Sequence, residues 1–282
     1  MKTCVIDTGG GLRGIYASGV LDRCIELGVN FDVAIGISAG SANVSSFLAG
    51  QQKRNYRFYI DYSGRKKYMS VHNFITKKSY IDLDYIYGTL SNSDGEDPLD
   101  YDAFTKNKAE FITIATNAIT GEAKYFDRSD MAQDRYDVFK ASSCIPFVCR
   151  PYFINGVPYY DGALSDTIPI QKAFDMGCDK VVLIITKPKD VIRTPGSDKK
   201  LGARIRRKYP KAADAISARA DRYNAGVAAA KEYEKQGKLL LIAPDDICGM
   251  DTLTRDVEAM KKLYEKGIHD ADRIPEFLAC GK

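Results

Sequence analysis

Gly36-Ile37-Ser38-Ala39-Gly40 sets a serine between two glycines, after the apolar run Val33 to Ile37 and before a helix-compatible run, Ser41 to Leu48. A G-x-S-x-G pentapeptide between a strand and a helix lifts the serine hydroxyl above the sheet edge and aims it at a helix N-terminus. Gly36 and Gly40 leave room for the tight turn. A serine hydroxyl is a weak nucleophile and needs a base within hydrogen-bond reach. The order Ser38, Asp161, His269 fits a Ser-Asp-His triad, but only 37 residues precede the serine. They accommodate one strand and one helix, whereas the α/β-hydrolase layout needs several strands before its elbow. His269 follows Gly267 at the end of an amphipathic surface helix, and His72 has no orienting partner in the sequence around it. The expected base is therefore a carboxylate, and Asp161 is the leading choice. It follows a short apolar strand, Val157 to Tyr160, and Gly162 after it allows another backbone to approach. A buried carboxylate bonded to a serine hydroxyl serves as a general base when its pKa suits the task.

Acyl transfer also needs donors for an oxyanion. Thr8-Gly9-Gly10-Gly11-Leu12-Arg13-Gly14 puts three successive glycines at a strand–helix junction, where backbone N–H groups are exposed. Gly9-x-Gly11-x-x-Gly14 also matches the dinucleotide-binding fingerprint. That reading requires an acidic residue at the end of the second strand, where this chain has the serine elbow, so it ranks below acyl hydrolysis.

These parts must be held by alternating strands and helices. Lys2 to Asp7 reads as a strand, Ile15 to Leu27 as a helix closed by Gly28, Val33 to Ile37 as a second strand and Ala39 to Ala49 as a second helix. A βαβα unit of this kind makes a parallel sheet with right-handed crossovers. Further strands are expected at Phe111 to Thr116, Ala123 to Phe126, Lys180 to Ile185 and Lys238 to Ala243. Helices are expected at Arg135 to Ser143, Ile168 to Met176, Ala212 to Gln236 and Asp251 to Gly267. Without a repeat or a linker, residues 1–282 read as one α/β unit, with about 200–282 as a helical extension carrying one strand.

Composition narrows the classes. Seven scattered cysteines with no C-x-x-C and two distant histidines offer no ordinary zinc site, so no metal and no cofactor is expected. The N-terminus lacks signal-peptide anatomy, and a cytoplasmic setting is expected. A net charge of +4 is too weak to indicate nucleic acid. Between Lys53 and Lys78, eight basic residues and one acidic residue are mixed with Tyr56, Phe58, Tyr59, Tyr62, Tyr68 and Phe74. Inward-packed aromatics beneath a solvated charged face are the first reading, peripheral contact with an anionic membrane the second, and single-stranded nucleic acid a distant third.

The glycine loop, the elbow about 25 residues later and Asp161-Gly162-Ala163 together resemble the patatin-like phospholipases. Ala141-Ser142-Ser143-Cys144-Ile145-Pro146 resembles that family's A-S-x-x-x-P block, and Ile168-Pro169 with Ala173 and Gly177 resembles the segment after the aspartate. The resemblance implies a three-layer α/β/α fold with a mainly parallel central sheet and a helical C-terminal region. It also implies a Ser38–Asp161 dyad without histidine. The N–H groups of Gly10, Gly11 and Gly9 would form the oxyanion hole, with Arg13, Gly14, Gly36, Gly40 and Gly162 supporting the motifs. The implied substrates are acyl esters, commonly glycerophospholipids or neutral lipids; transfer of the acyl group to an acceptor other than water is the alternative on the same site. Thr8 stands where many members carry an acidic residue, and Ala163 where glycine is commoner.

Overall fold

The computed structural model describes residues 1–280. One sheet of eight strands organises them. The strands are β1 (Thr3–Asp7), β2 (Val33–Ile37), β3 (Glu110–Asn117), β4 (Ala123–Phe126), β5 (Tyr152–Ile154), β6 (Val157–Asp161), β7 (Lys180–Ile184) and β8 (Leu239–Ile242). β3, β2, β1, β7 and β8 run parallel in that order. β1, β2, β7 and β8 are buried along their whole length, as expected of parallel strands covered on both faces.

Alternation along these strands divides the core into two layers. Val5, Ala34, Val182 and Leu240 face one cluster, which holds helix α1 (Ile15–Glu26), helix α2 (Ala39–Leu48) and the helix Val257–Ala271. Cys4, Ile6, Ile35 and Leu183 face the other, packed by Ile170 and Ala173 and by Tyr223, Val227 and Ala230 of the helix Arg219–Lys235. The result is the expected three-layer α/β/α arrangement. β8 extends the same sheet beside β7, and the helix Val257–Ala271 is tied to α1 by Tyr264 Oη on Asp22 (2.8 Å) and Tyr16 Oη on Asp270 (2.5 Å).

Two expected helices differ. Ala212 to Gln236 is two helices, Pro210–Ser217 and Arg219–Lys235. The break at Ala218 turns Arg219 onto the buried carboxylate of Asp198. The last long helix begins at Val257, capped by the Asp256 side chain on the Ala259 N–H, so that Asp251 to Asp256 form a loop. A short strand, β5, pairs with β6 as a hairpin.

Candidate active site

The pairing of β3 brings the elbow and Asp161 together. β2 runs parallel to β3 up to the pair Ile37–Ile114. β6 runs antiparallel to β3 and ends on the pair Asp161–Ala115. β4 occupies the opposite edge of β3, because Thr113 pairs with both Gly36 and Phe126, and Ala115 with both Lys124 and Asp161. β2 and β6 therefore share one edge of β3 and meet at the Ile114–Ala115 junction. Ser38 follows β2 at that junction, and Asp161 arrives there from the other side.

Ser38 adopts φ 56° and ψ −131° between β2 and the first residue of α2. A positive φ on a residue with a Cβ is strained by about 1–3 kcal/mol and persists only where surroundings enforce it. The Ser38 N–H donates to Ser142 Oγ at 2.9 Å. Ser142 Oγ in turn donates to the Ile114 carbonyl at 2.6 Å and accepts from Ser41 Oγ at 3.1 Å. Gly36 and Gly40 lie where a Cβ would strike Ser41 and Asp7 respectively. Ser38 keeps only 6% of its surface exposed.

Asp161 is buried, with Oδ1 accepting the Ala163 N–H at 2.9 Å and its own N–H on the Cys144 carbonyl at 2.9 Å. A Cβ at Gly162 would strike the Ile114 carbonyl, so glycine lets the turn close on β3. Burial raises the Asp161 pKa; the Ser38 side chain, the Ala163 N–H and the charge of Arg219 pull it back. The Ser38 side chain thus lies close enough to the carboxylate to act on its charge.

Gly9, Gly10 and Gly11 have φ of 66°, 138° and 61°. The Gly9 N–H is committed to Asp7 Oδ1 at 2.8 Å, so Gly9 supplies no free donor, contrary to the sequence expectation. Its carbonyl accepts from Thr186 Oγ1 at 2.7 Å. Among the described residues the N–H groups of Gly10 and Gly11 have no partner, and that of Ala39, the first residue of α2, lacks an intrahelical acceptor. Leu12 N–H on the Thr252 carbonyl (2.9 Å) anchors the far end of the loop. Arg13 is buried and donates to Asp251 at 3.0 Å and Thr252 Oγ1 at 3.2 Å. Gly14 abuts the Tyr59 hydroxyl, and its carbonyl accepts from Asn43 Nδ2 at 3.1 Å. Asp32, the acidic residue next to β2, lies at its start and binds the Thr3 N–H (2.7 Å), at the opposite end of the strand from where a dinucleotide fold needs it.

Two cavities meet at Ser38, sharing Gly11, Ile145 and Thr252. One, about 680 Å³, is lined largely by apolar and aromatic side chains, among them Leu12, Phe58, Met69, Leu83, Ile86 and Leu253. The other, about 620 Å³, holds Asp161, the glycine loop and several cationic groups. His72 and His269 are exposed and line neither.

The basic-aromatic segment is mostly structural. Phe58, Tyr59, Tyr62 and Tyr68 are buried, and Arg54 is buried against Ser46, Ser91 and the Asp97 carbonyl. Arg57 and Arg65 pair with Asp97 and Glu96. Its end carries exposed apolar side chains: Val71, Phe74 and Ile75 on the helix Val71–Lys77 are exposed, and Phe74 meets the exposed Phe147 at 6.1 Å between rings.

Sequence reasoning assigned no role to Ser142, Asn43 or Asp7. Asp7 is fully buried, receives Asn43 Nδ2 at 2.8 Å as well as the Gly9 N–H, and is raised by burial to about 6. The block around Ser142 was the available signal for the first; nothing local marks the other two.

Residues 8–174 match the patatin-like phospholipase family, and residues 209–279 match a domain of unknown function, DUF6363. The chain belongs to the patatin-like phospholipase family, a family of lipid acyl hydrolases. It is 30% identical over 200 residues to the "uncharacterized protein YjjU" of Escherichia coli K12, covering 69% of this chain and 54% of YjjU. Its fold is similar to the crystal structure of VipD from Legionella pneumophila, with a TM-score of 0.53 and 13% identity over 98% of this chain and 66% of VipD. The chain thus spans about half the length of YjjU and two thirds of VipD.

Proposed function

We propose that this protein is a serine hydrolase of lipid acyl esters that uses a Ser38–Asp161 dyad. The observation that carries the reading is the meeting of β2 and β6 on one edge of β3, with the unpartnered Gly10 and Gly11 N–H groups beside it. The acyl chain lies in the apolar cavity, with the ester carbonyl at Ser38. Ser38 Oγ attacks the carbonyl carbon and gives its proton to Asp161. The oxygen that becomes negative is held by Gly10 and Gly11 N–H, helped by the N-terminus of α2. Asp161 returns the proton to the departing alcohol, leaving an acyl-serine. Water then attacks, its proton passing to Asp161, and the fatty acid departs as Ser38 is restored. Burial raises the Asp161 pKa and so makes it a better proton acceptor once ionised.

The reading takes the chain as one unit, because β8 and the loop Asp251–Asp256 complete the sheet and the site wall. Among the described residues no helix is long and apolar enough to cross a membrane. Seven free cysteines support a reducing compartment, and the exposed Val71, Phe74, Ile75 and Phe147, near Lys66, Lys67 and Lys78, support peripheral contact with an anionic lipid surface.

The test is covalent labelling by a fluorophosphonate with turnover of a p-nitrophenyl acyl ester. Ser38→Ala is expected to abolish both, and Asp161→Asn to lower turnover about 10²–10⁴-fold, while His269→Ala retains activity. Loss of turnover in a folded His269→Ala protein would overturn the dyad. Product analysis with an added alcohol separates hydrolysis from transfer.

A further inference from the structure

The cavity opposite the apolar one is bordered by four cations: Arg13, Lys187, Arg193 and Arg219. Three bring counter-charges with them. Arg13 is 3.0 Å from Asp251. Arg219 binds both oxygens of Asp198, through Nε at 3.1 Å and through its terminal nitrogen. Arg193 lies 3.7 Å from the same Asp198. One buried carboxylate therefore serves two arginines, and half-buried Lys187 forms neither a hydrogen bond nor an ion pair with the described residues. The cations act on one another. Burial, then Arg13 and Arg193, push the Lys187 ammonium below its ordinary range, and burial with Arg219 does the same to Arg193. Positive charge held away from water in excess of its partners is costly, and a bound anion offsets that cost.

Two buried donors of the same lining residues also lack partners among the described residues. They are Arg13 Nε and the hydroxyl of Tyr223, a residue 6% exposed. Native proteins leave few such groups unpaired, and these two stand beside the surplus cations. The Arg193 guanidinium lies 5.1 Å over the Tyr223 ring, which fixes both groups at the wall.

We infer that Lys187, Arg193, Arg219 and Tyr223 form a subsite for a phosphate ester, the headgroup of a phospholipid whose acyl chain enters the apolar cavity. The inference rests on the hydrolase reading and deepens it, since Ser38 stands at the junction of the two cavities. All four residues lie beyond the segment matched to the patatin-like family, and Arg219 and Tyr223 lie in the segment matched to the domain of unknown function. That segment thereby acquires a role: it supplies part of the headgroup half of the site, while the family's own segment supplies the nucleophile and most of the acyl half, whose wall Thr252 and Leu253 complete.

The experiment is calorimetric titration of the Ser38→Ala protein with glycerol 3-phosphate, inorganic phosphate and glycerol. Glycerol 3-phosphate is expected to bind and glycerol not to bind. Lys187→Gln in that background is expected to weaken binding about tenfold, as is a rise in ionic strength. Because Lys187 has no partner to lose, its Gln variant should fold, and Arg193→Gln provides a second removal of charge. In the active chain, Lys187→Gln should lower kcat/KM for phosphatidylglycerol about tenfold more than for diacylglycerol. Absence of binding, or equal binding after both charge removals, would overturn the subsite. Binding of inorganic phosphate without glycerol 3-phosphate would assign the site to the free ion and overturn the headgroup. Failure of the hydrolase reading shows separately, as absence of Ser38-dependent turnover of any ester, and leaves the calorimetry readable.

Discussion

Ser142→Ala removes one oxygen from a fully buried position, and it should disable the elbow without touching the reacting atoms. Ser142 Oγ makes three hydrogen bonds: it accepts from the Ser38 N–H (2.9 Å) and Ser41 Oγ (3.1 Å) and donates to the Ile114 carbonyl (2.6 Å). Loss of the first leaves a buried N–H unpaired at about 1–3 kcal/mol, and each neutral bond lost costs about 0.5–1.5 kcal/mol. Ser41 keeps its bond to Thr113, so the sum is partly offset. Urea unfolding should therefore show a loss of about 2–4 kcal/mol. The catalytic effect should be separate. Ser38 holds φ 56° against a strain of about 1–3 kcal/mol, and the Ser142 bond is one of the restraints that maintain it. Relaxation of the elbow displaces Ser38 Oγ from its line to the ester carbonyl, and a displacement of about 1 Å lowers turnover about a hundredfold. The assay is the rate of fluorophosphonate labelling together with p-nitrophenyl ester turnover, measured well below the unfolding midpoint. A variant within about 0.5 kcal/mol of wild type that labels at the wild-type rate would refute the strap.

Asp7 gives a pH-dependent prediction. Its folded pKa, about 6, lies above the ordinary 3.8 because of burial. The group's stabilising contribution is thus fully present below about pH 4 and is lost as pH rises through about 6. The gap corresponds to about 3 kcal/mol. Asp7→Asn removes that titration, so the stability difference between wild type and variant should shift by about this amount in the variant's favour between pH 4 and 7; a difference independent of pH would refute it. The outward helix Val71–Lys77 predicts salt-sensitive co-sedimentation with anionic vesicles. Val71→Asp with Ile75→Asp should abolish it, and each of Lys66→Gln and Lys67→Gln should weaken it by about 1 kcal/mol. Sedimentation of the double Asp variant at wild-type level would refute that surface.

The glycine loop, the elbow and Asp161 were legible because each has local chemistry: a turn that rejects side chains, a serine between strand and helix, a carboxylate at a strand end. The same locality misled at Gly9. The sequence shows three equivalent glycines, and only the fold reveals that Asp7 takes the first N–H. Ser142 was hidden for the converse reason. Its partner Ser38 is 104 residues away, and a side-chain bond across that distance leaves no periodic mark. The basic-aromatic segment read first as inward-packed aromatics beneath a solvated charged face, and its aromatics do pack inward. What the sequence did not show is that Arg54 is buried on Ser46, Ser91 and the Asp97 carbonyl, while half-exposed Arg57 pairs with the Asp97 carboxylate. The C-terminal region read as helices, and its contacts with the site lie in the irregular parts that periodicity cannot register: the break before Arg219 and the loop that offers the Thr252 carbonyl to the glycine loop.

β3 accounts for the centre of the site. A parallel β2 and an antiparallel β6 can occupy the same edge of one strand only if each stops where the other begins. Both stop at the Ile114–Ala115 junction, so Ser38, which follows β2, and Asp161, which ends β6, are adjacent by register. The Ile114 carbonyl at that junction also receives Ser142 and leaves no room for a side chain at Gly162. The elbow's restraint and the turn after Asp161 are thus fixed to one peptide group. The register of β3 sets the separation of Ser38 and Asp161, so that segments far apart in the sequence supply the two members of the proposed dyad.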